Sequence, residues 1–262
     1  RIGYHLSVEF QAEFESHSSK SSFTKDEIAD LVSPSRVDGV ILPPPICFNK
    51  MVLDSIREIG TPCVRIAGTP ARGFDLRVSI DNYAAGYEIA DYLIGLGHEN
   101  IAIIKGPEIS VASVLRYDGF VAAMRSHGVP IRESNVATGE FDLESGYRCA
   151  MQLLSQEDRP TAIFASNDEM AAGLLAVVQE LKISVPDQLS VVGFDDATIA
   201  HSVWPGLTTI RAPLQAIGEE AVDLLAGYIR QKRDDPDGLK SQAITLPYEM
   251  VLRNSTGPCP VG

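Results

Sequence analysis

The sequence predicts an α/β fold of two doubly wound parallel-sheet lobes, and three observations point to it. Short β-rich apolar runs alternate with amphipathic stretches along the 262 residues. The runs are continuously apolar, as in strands covered by helices on both faces. There are also too many of them for one small sheet.

The candidate strands, in order, are VDGVIL (37–42), PCVRIA (62–67), LRVSI (76–80), IAIIKG (101–106), TAIFAS (161–166) and LSVVGF (189–194). Helical patterns lie between them. Residues 24–32 open on Thr24 and Glu27, the spacing of a capping box. Residues 81–96 carry Ala85, Ile89, Leu93 and Leu96 on one face. Residues 113–126, 143–154, 169–181 and 213–230 complete the set. The turn-rich GPEIS (106–110) and WPGLTTIRAP (204–213) are the expected crossings between lobes, and KRDDPDG (232–238) reads as a solvated loop.

Composition narrows the function. Apolar residues make up 45% of the chain, and the formal net charge is −13. Such a surface repels phosphate backbones, so these residues are not expected to bind nucleic acid by themselves. No apolar run reaches the length of a membrane span, and no basic start with an apolar stretch marks a signal peptide. The four cysteines and five histidines are scattered, with no zinc or redox spacing. The expectation is reduced thiols, a cytoplasmic location, and neither metal nor cofactor. His98 follows Leu96-Gly97 and reads as a turn residue.

Loops that leave the carboxyl ends of parallel strands share one edge, and ligands bind there. That edge would receive Ser110, Ser113 and Arg116 after IAIIKG, and Phe141 with Asp142 from VATGEFD. Asn167 and Asp168 would follow TAIFAS, and Asp195 with Asp196 would follow LSVVGF. Carboxylate and amide groups pair with neighbouring hydroxyls, arginine donates in a planar fork, and an aromatic ring covers the apolar face of a sugar. A polyhydroxylated small molecule fits this set. Each residue also has a structural alternative. Asp81, Asp168, Asp196 and Asn167 could be helix caps, Arg116 could pair with Asp118 or Glu140, and Phe141 could belong to the core. The shared edge favours the ligand role for Arg116 and Asp195. Nothing singles out a protonated acid beside an ionised one, and no nucleophile elbow, phosphate loop or dinucleotide fingerprint occurs. An enzyme is therefore not expected.

The segments VDGVILPPP, IDNYAAGYEIADYLIGLGHENIAIIKGP, RYDGF, RPTAIFASNDEMAAGLLAV, VPDQLSVVGFDDATIA, WPGLTTIRAPLQAIGEEAVDLL and LPYEMVLRNSTGP run through nearly the whole chain. Together they resemble the lactose/galactose-repressor (LacI/GalR) family of bacterial transcription regulators. The resemblance implies the effector-binding domain, with the periplasmic-binding-protein type I fold and three crossings between lobes. One lobe would hold residues 1–107 plus 211–243, the other 108–210 plus 244–262. A sugar or glycoside effector would bind between them and alter operator affinity. Arg116 would contact it, Phe141 would stack on it, Asn167 and Asp195 would hydrogen-bond it, and Ser110 stands where relatives place a further polar contact. The family's helix-turn-helix headpiece is not among these residues, so operator DNA is expected only through such a headpiece. The first strand and helix of the family also have no counterpart ahead of GYHLSVEF (3–10). A homodimer is implied, with the surface near Val203 and Trp204 as its candidate face. A periplasmic sugar-binding protein is the alternative, disfavoured by the LTTIR region, and a sugar-processing enzyme stands further off.

Overall fold

The computed structural model describes residues 5–8, 24–66, 76–235 and 240–260. They divide into two compact units, one within Arg1–Ser79 and Leu214–Leu246, the other within Ile80–Pro213 and Pro247–Gly262. Half of GYHLSVEF lies outside the described residues, as do residues 236–238 of the expected loop, whose first three residues, 232–234, are helical instead.

The chain builds the first unit from α1 (Lys25–Leu31), β1 (Val40–Leu42), α2 (Lys50–Ile59), β2 (Cys63–Ile66) and β3 (Leu76–Ile80). The second unit follows, with α3 (Asn82–Gly95), β4 (Ile101–Lys105), α4 (Val111–Ser126), β5 (Val136–Thr138), α5 (Leu143–Leu154), β6 (Ala162–Ala165), α6 (Asp168–Glu180), β7 (Ser190–Val192), α7 (Thr198–Ser202) and β8 (Thr209–Arg211). The chain returns to the first unit for α8 (Leu214–Asp234) and β9 (Gln242–Leu246), then ends in the second with β10 (Glu249–Val251).

In the first unit the sheet order is β1-β2-β3-β9, and β1, β2 and β3 run parallel. Ile28, Val32, Leu42, Cys47, Val52 and Ile56 form a core, and α8 lies against β1 and β2. The capping box expected at α1 is present: Thr24 Oγ1 accepts from the Glu27 N–H at 3.3 Å, and Glu27 Oε2 accepts from the Thr24 N–H at 2.8 Å.

In the second unit the order is β5-β4-β6-β7, all parallel. Side chains of β6 alternate between two helix layers, as pleating requires. Ile163 and Ala165 join the core under α5 and α6, whereas Phe164 faces Phe120 of α4 at 6.2 Å between ring centroids. Each helix layer is a tight pair. A Cβ on Gly86 of α3 would stand 2.1 Å from the Arg116 carbonyl oxygen, and one on Gly119 of α4 would stand 2.0 Å from that of Tyr83. Gly146 of α5 and Gly173 of α6 repeat the arrangement, against Met170 and Leu143. β8 and β10 form an antiparallel ribbon that continues from β7 through the Val192↔Thr208 bridge.

Three expectations need correction. The first crossing lies at Ser79/Ile80, not near 107, because α3 packs on α4 and β4 pairs with β5 and β6. The GPEIS turn is therefore internal to the second unit. Residues 244–246 belong to β9 of the first unit, since this strand pairs with β3. The elements α2, α7, β5, β8, β9 and β10 also add detail that the sequence patterns did not resolve.

Candidate ligand-binding site

The carboxyl edge of the β5-β4-β6-β7 sheet collects the residues singled out above. Arg116 sits in the second turn of α4, whose close approach to α3 directs the side chain inward. Its Nε donates to Asn82 Oδ1 at 2.9 Å and its Nη1 to the Ser166 carbonyl at 2.5 Å. The guanidinium lies 3.4 Å from the centroid of the Phe194 ring, a stacked cation–π contact. Nη2 stands 3.7 Å from Asp195 Oδ1, close enough for an ion pair but too long for a hydrogen bond. Only 10% of the Arg116 side chain is exposed. Burial works against its charge, and Asp195 and Asp168 support it.

Asp195 is the open member of the pair. Its side chain keeps 37% exposure, and no hydrogen bond reaches its carboxylate among the described residues. The surrounding protein raises its pKa through burial, while Arg116 pulls it back. Its backbone is unusual, with φ of 104°, and Asp196 follows at 56°. Left-handed conformations cost an ordinary residue about 1–3 kcal/mol each, so the surroundings must hold this turn.

Phe141 also has positive φ, 65°. The outer tip of its ring presses on Gly106, where a Cβ would come within 2.2 Å of Phe141 Cζ. Gly106 thus makes room for the ring, which also packs on the second unit's core. Asn167 is the N-cap of α6: its Oδ1 accepts from the Met170 N–H at 3.0 Å, and its Nδ2 donates to the Phe141 carbonyl at 2.8 Å. One amide hydrogen of Asn167 has no protein acceptor among the described residues. Ser110 caps α4 by accepting from the Ser113 N–H at 3.4 Å, so its hydroxyl is engaged within its own turn.

The structure therefore brings Arg116 to Asp195 directly and Asn167 to Phe141 directly, whereas Ser110 serves its helix. Arg116 pairs with neither Asp118 nor Glu140. Two expected caps are not caps. Asp168 is the first residue of α6, with Oδ1 accepting from Thr209 Oγ1 at 2.7 Å and Oδ2 from the Ala197 N–H at 2.8 Å. It is 1% exposed, and burial pushes its pKa up to about 7 against those two donors. Asp196 does not cap α7, whose N-cap is Ala197. Its carboxylate accepts from Arg211 Nε at 2.7 Å and Arg253 Nη2 at 2.5 Å. Those bonds hold its pKa below the usual carboxylate value despite burial.

Sequence reasoning missed Asn82, Phe194, Thr209, Arg211 and Arg253. Asn82 was visible in principle as the second polar residue after LRVSI, and Phe194 as the residue before the acids. Nothing in spacing links Arg253 to Asp196, 57 positions away.

The arrangement can accept from hydroxyls at Asp195, donate from Arg116 and Asn167, and present an aromatic wall at Phe141. It offers no matched acid–base pair, because Asp168 and Asp196 already bind protein donors with both oxygens. No group of three or more potential metal ligands occurs among the described residues.

Residues 90–256 match the model of the periplasmic binding protein-like domain. The chain is 34% identical over 236 residues to the HTH-type transcriptional repressor PurR of Yersinia pestis (strain Pestoides F), covering 88% of this chain and 66% of that protein. The same protein of Yersinia pseudotuberculosis serotype O:1b matches equally. The chain thus spans 66% of the length of the curated relatives it matches. Among solved structures it is similar to the transcriptional regulator CelR in complex with cellobiose, with TM-score 0.79 and 28% identity over 88% of this chain and 69% of that one. A LacI-family regulator from Enterococcus faecium with bound ribose gives TM-score 0.74 and 27% identity, covering 89% of this chain and 84% of that one.

Proposed function

Because the chain belongs to the LacI/GalR family, as its effector-binding domain, we propose that it senses a small sugar or glycoside at the carboxyl edge of the second unit. In the whole regulator, occupancy of this edge alters operator affinity, a coupling between two sites. The observation that carries the ligand class is the pairing of Asp195, with open carboxylate oxygens, and Arg116, stacked on Phe194 and largely buried. An acceptor and a charged donor side by side suit adjacent hydroxyls. Phe141 supplies the stacking face, Asn167 adds its remaining amide hydrogen, and Ser110 lines the start of α4. The sugars bound by the CelR and Enterococcus faecium neighbours are in keeping with this reading.

Calorimetry with a panel that includes ribose, cellobiose and small glycosides tests it. Binding to one of them is expected, and Arg116→Ala and Asp195→Ala should each weaken it by about tenfold or more. Failure of a folded sample to bind any sugar would sink the ligand class.

The protein is proposed to be cytoplasmic and to act as a homodimer without cofactor. No helix among the described residues is long and apolar enough to cross a membrane. Trp204, 89% exposed, supports the candidate dimer face. A sensor rather than an enzyme is favoured because the relatives and structural neighbours are transcriptional regulators. Incubation with chromogenic glycosides should give no turnover. The alternative, a periplasmic sugar-binding protein, is separated by the genomic sequence upstream of Arg1: a helix-turn-helix supports the regulator, an apolar signal segment the alternative.

A further inference from the structure

The Asp195 carboxylate has no hydrogen bond of its own among the described residues, only the 3.7 Å ion pair to Arg116, so its reach toward Arg116 depends on the backbone that carries it, at φ 104°. That backbone is held from two sides. The Asp195 N–H donates to the Ile210 carbonyl of β8 at 2.8 Å. The next residue, Asp196, has a side chain only 5% exposed and fixed by two arginines. Arg211 Nε donates to Oδ2 at 2.7 Å, and Arg253 Nη2 to Oδ1 at 2.5 Å. Both arginines are anchored in turn: Arg211 Nη1 donates to Glu249 Oε2 at 2.8 Å, and Arg253 Nη1 to the Leu207 carbonyl at 2.6 Å. His201 Nε2 stands 3.3 Å from Asp196 Oδ1 and 3.2 Å from Arg253 Nη2, beside the clamp. The strained turn is thus bolted through Asp196 to β8 and to the segment that follows β10. These strands carry the chain out of the second unit and back into it.

We propose that Asp196 is the positioning residue of the candidate site: clamped by Arg211 and Arg253, it holds the left-handed turn that aims the Asp195 carboxylate toward Arg116. Asp196 itself touches no ligand. Its effect on affinity passes entirely through Asp195. Only the affinity part of this inference rests on the ligand-binding reading above.

Two measurements test it. In Asp196→Asn the shape and one acceptor remain but the charge is lost. Amide hydrogen exchange at Asp195 should accelerate by about tenfold relative to the parent, with the Ile163 and Phe164 amides of β6 unchanged. Arg211→Lys, at an exposed position, keeps the charge but loses the Nε bond and should accelerate the same amide by about threefold. Unchanged exchange at Asp195 in both variants, or acceleration shared equally with Ile163 and Phe164, would overturn the proposal. The second measurement is a double-mutant cycle with whichever of ribose and cellobiose binds the parent chain. Asp196→Asn should weaken binding by about tenfold alone and have no further effect in an Asp195→Ala background. Additive losses would show that Asp196 acts independently of Asp195. If neither sugar binds, the ligand reading fails, and the exchange experiment still decides the positioning role.

Discussion

The two edges of the second unit's sheet treat buried polar groups in opposite ways. At the amino edge stands His98, fully buried. Its Nδ1 lies 2.9 Å from Thr161 Oγ1, and its Nε2 lies 3.0 Å from Ser190 Oγ and 3.1 Å from the Gly257 carbonyl. The carbonyl can only accept, so Nε2 carries the hydrogen and Nδ1 accepts from Thr161. Every polar atom there is matched within the protein. At the carboxyl edge, Arg116 has partners but Asp195 has open oxygens and Asn167 an open hydrogen. A polar cluster that closes on itself holds a fold together, whereas one left incomplete can be completed by a ligand.

The largest expected effect lies at the closed edge. His98→Leu leaves Thr161 and Ser190 facing an apolar group in a sealed site, and should lower the stability of the second unit by about 3 kcal/mol in urea unfolding. A loss below about 1 kcal/mol would mean that the cluster is dispensable.

The pH dependence separates the edges next. Burial lowers the His98 pKa below 6.5, so the unfolded chain takes up the proton first, and stability falls as pH drops below 6.5. Asp168 has the opposite sign. Its pKa is raised from 3.8 to about 7, so the folded chain holds the proton, and its contribution is lost as pH rises from about 4 through about 7. Unfolding curves at several pH values should show the first slope vanish in His98→Leu and the second in Asp168→Asn. The Asn variant should also lose absolute stability, since its amide nitrogen can face the Ala197 N–H. Persistence of either slope would assign it to another group.

Asp195→Asn should have a smaller effect on stability, within about 1 kcal/mol, because no hydrogen bond is lost. Affinity for the sugar proposed as ligand should nonetheless fall by about tenfold. A stability loss as large as that of His98→Leu would erase the contrast between the edges. Trp204→Ala should change monomer stability least, by no more than about 0.5 kcal/mol. Sedimentation of the parent and this variant then reports whether the exposed ring serves self-association.

Much of this was legible because buried parallel strands write continuous apolar runs. The runs IAIIKG, TAIFAS and LSVVGF became β4, β6 and β7, and the rule about their carboxyl ends brought Arg116 and Asp195 together. What could not be read were choices made by tertiary contact. The pattern at 81–96 shows a helix but not which sheet it covers, and the Gly86–Gly119 approach assigns it to the second unit. Strands of three residues, such as β8 and β10, are too short to leave a periodic signal. The roles of Asn167, Asp168 and Asp196 depend on backbone angles and on arginines far along the chain, so capping preference alone assigned two of the three wrongly.

The glycine contact between α3 and α4 also gives the candidate site a tuning screw. Gly86 presses on the Arg116 carbonyl, so the reach of the guanidinium is fixed by an atom that Gly86 lacks. Adding one methyl group there would force α4 outward and carry the cation with it, without altering any residue that faces a ligand. Selectivity for ligands of different girth could thus be retuned from the far side of a helix, 30 residues from the arginine it moves.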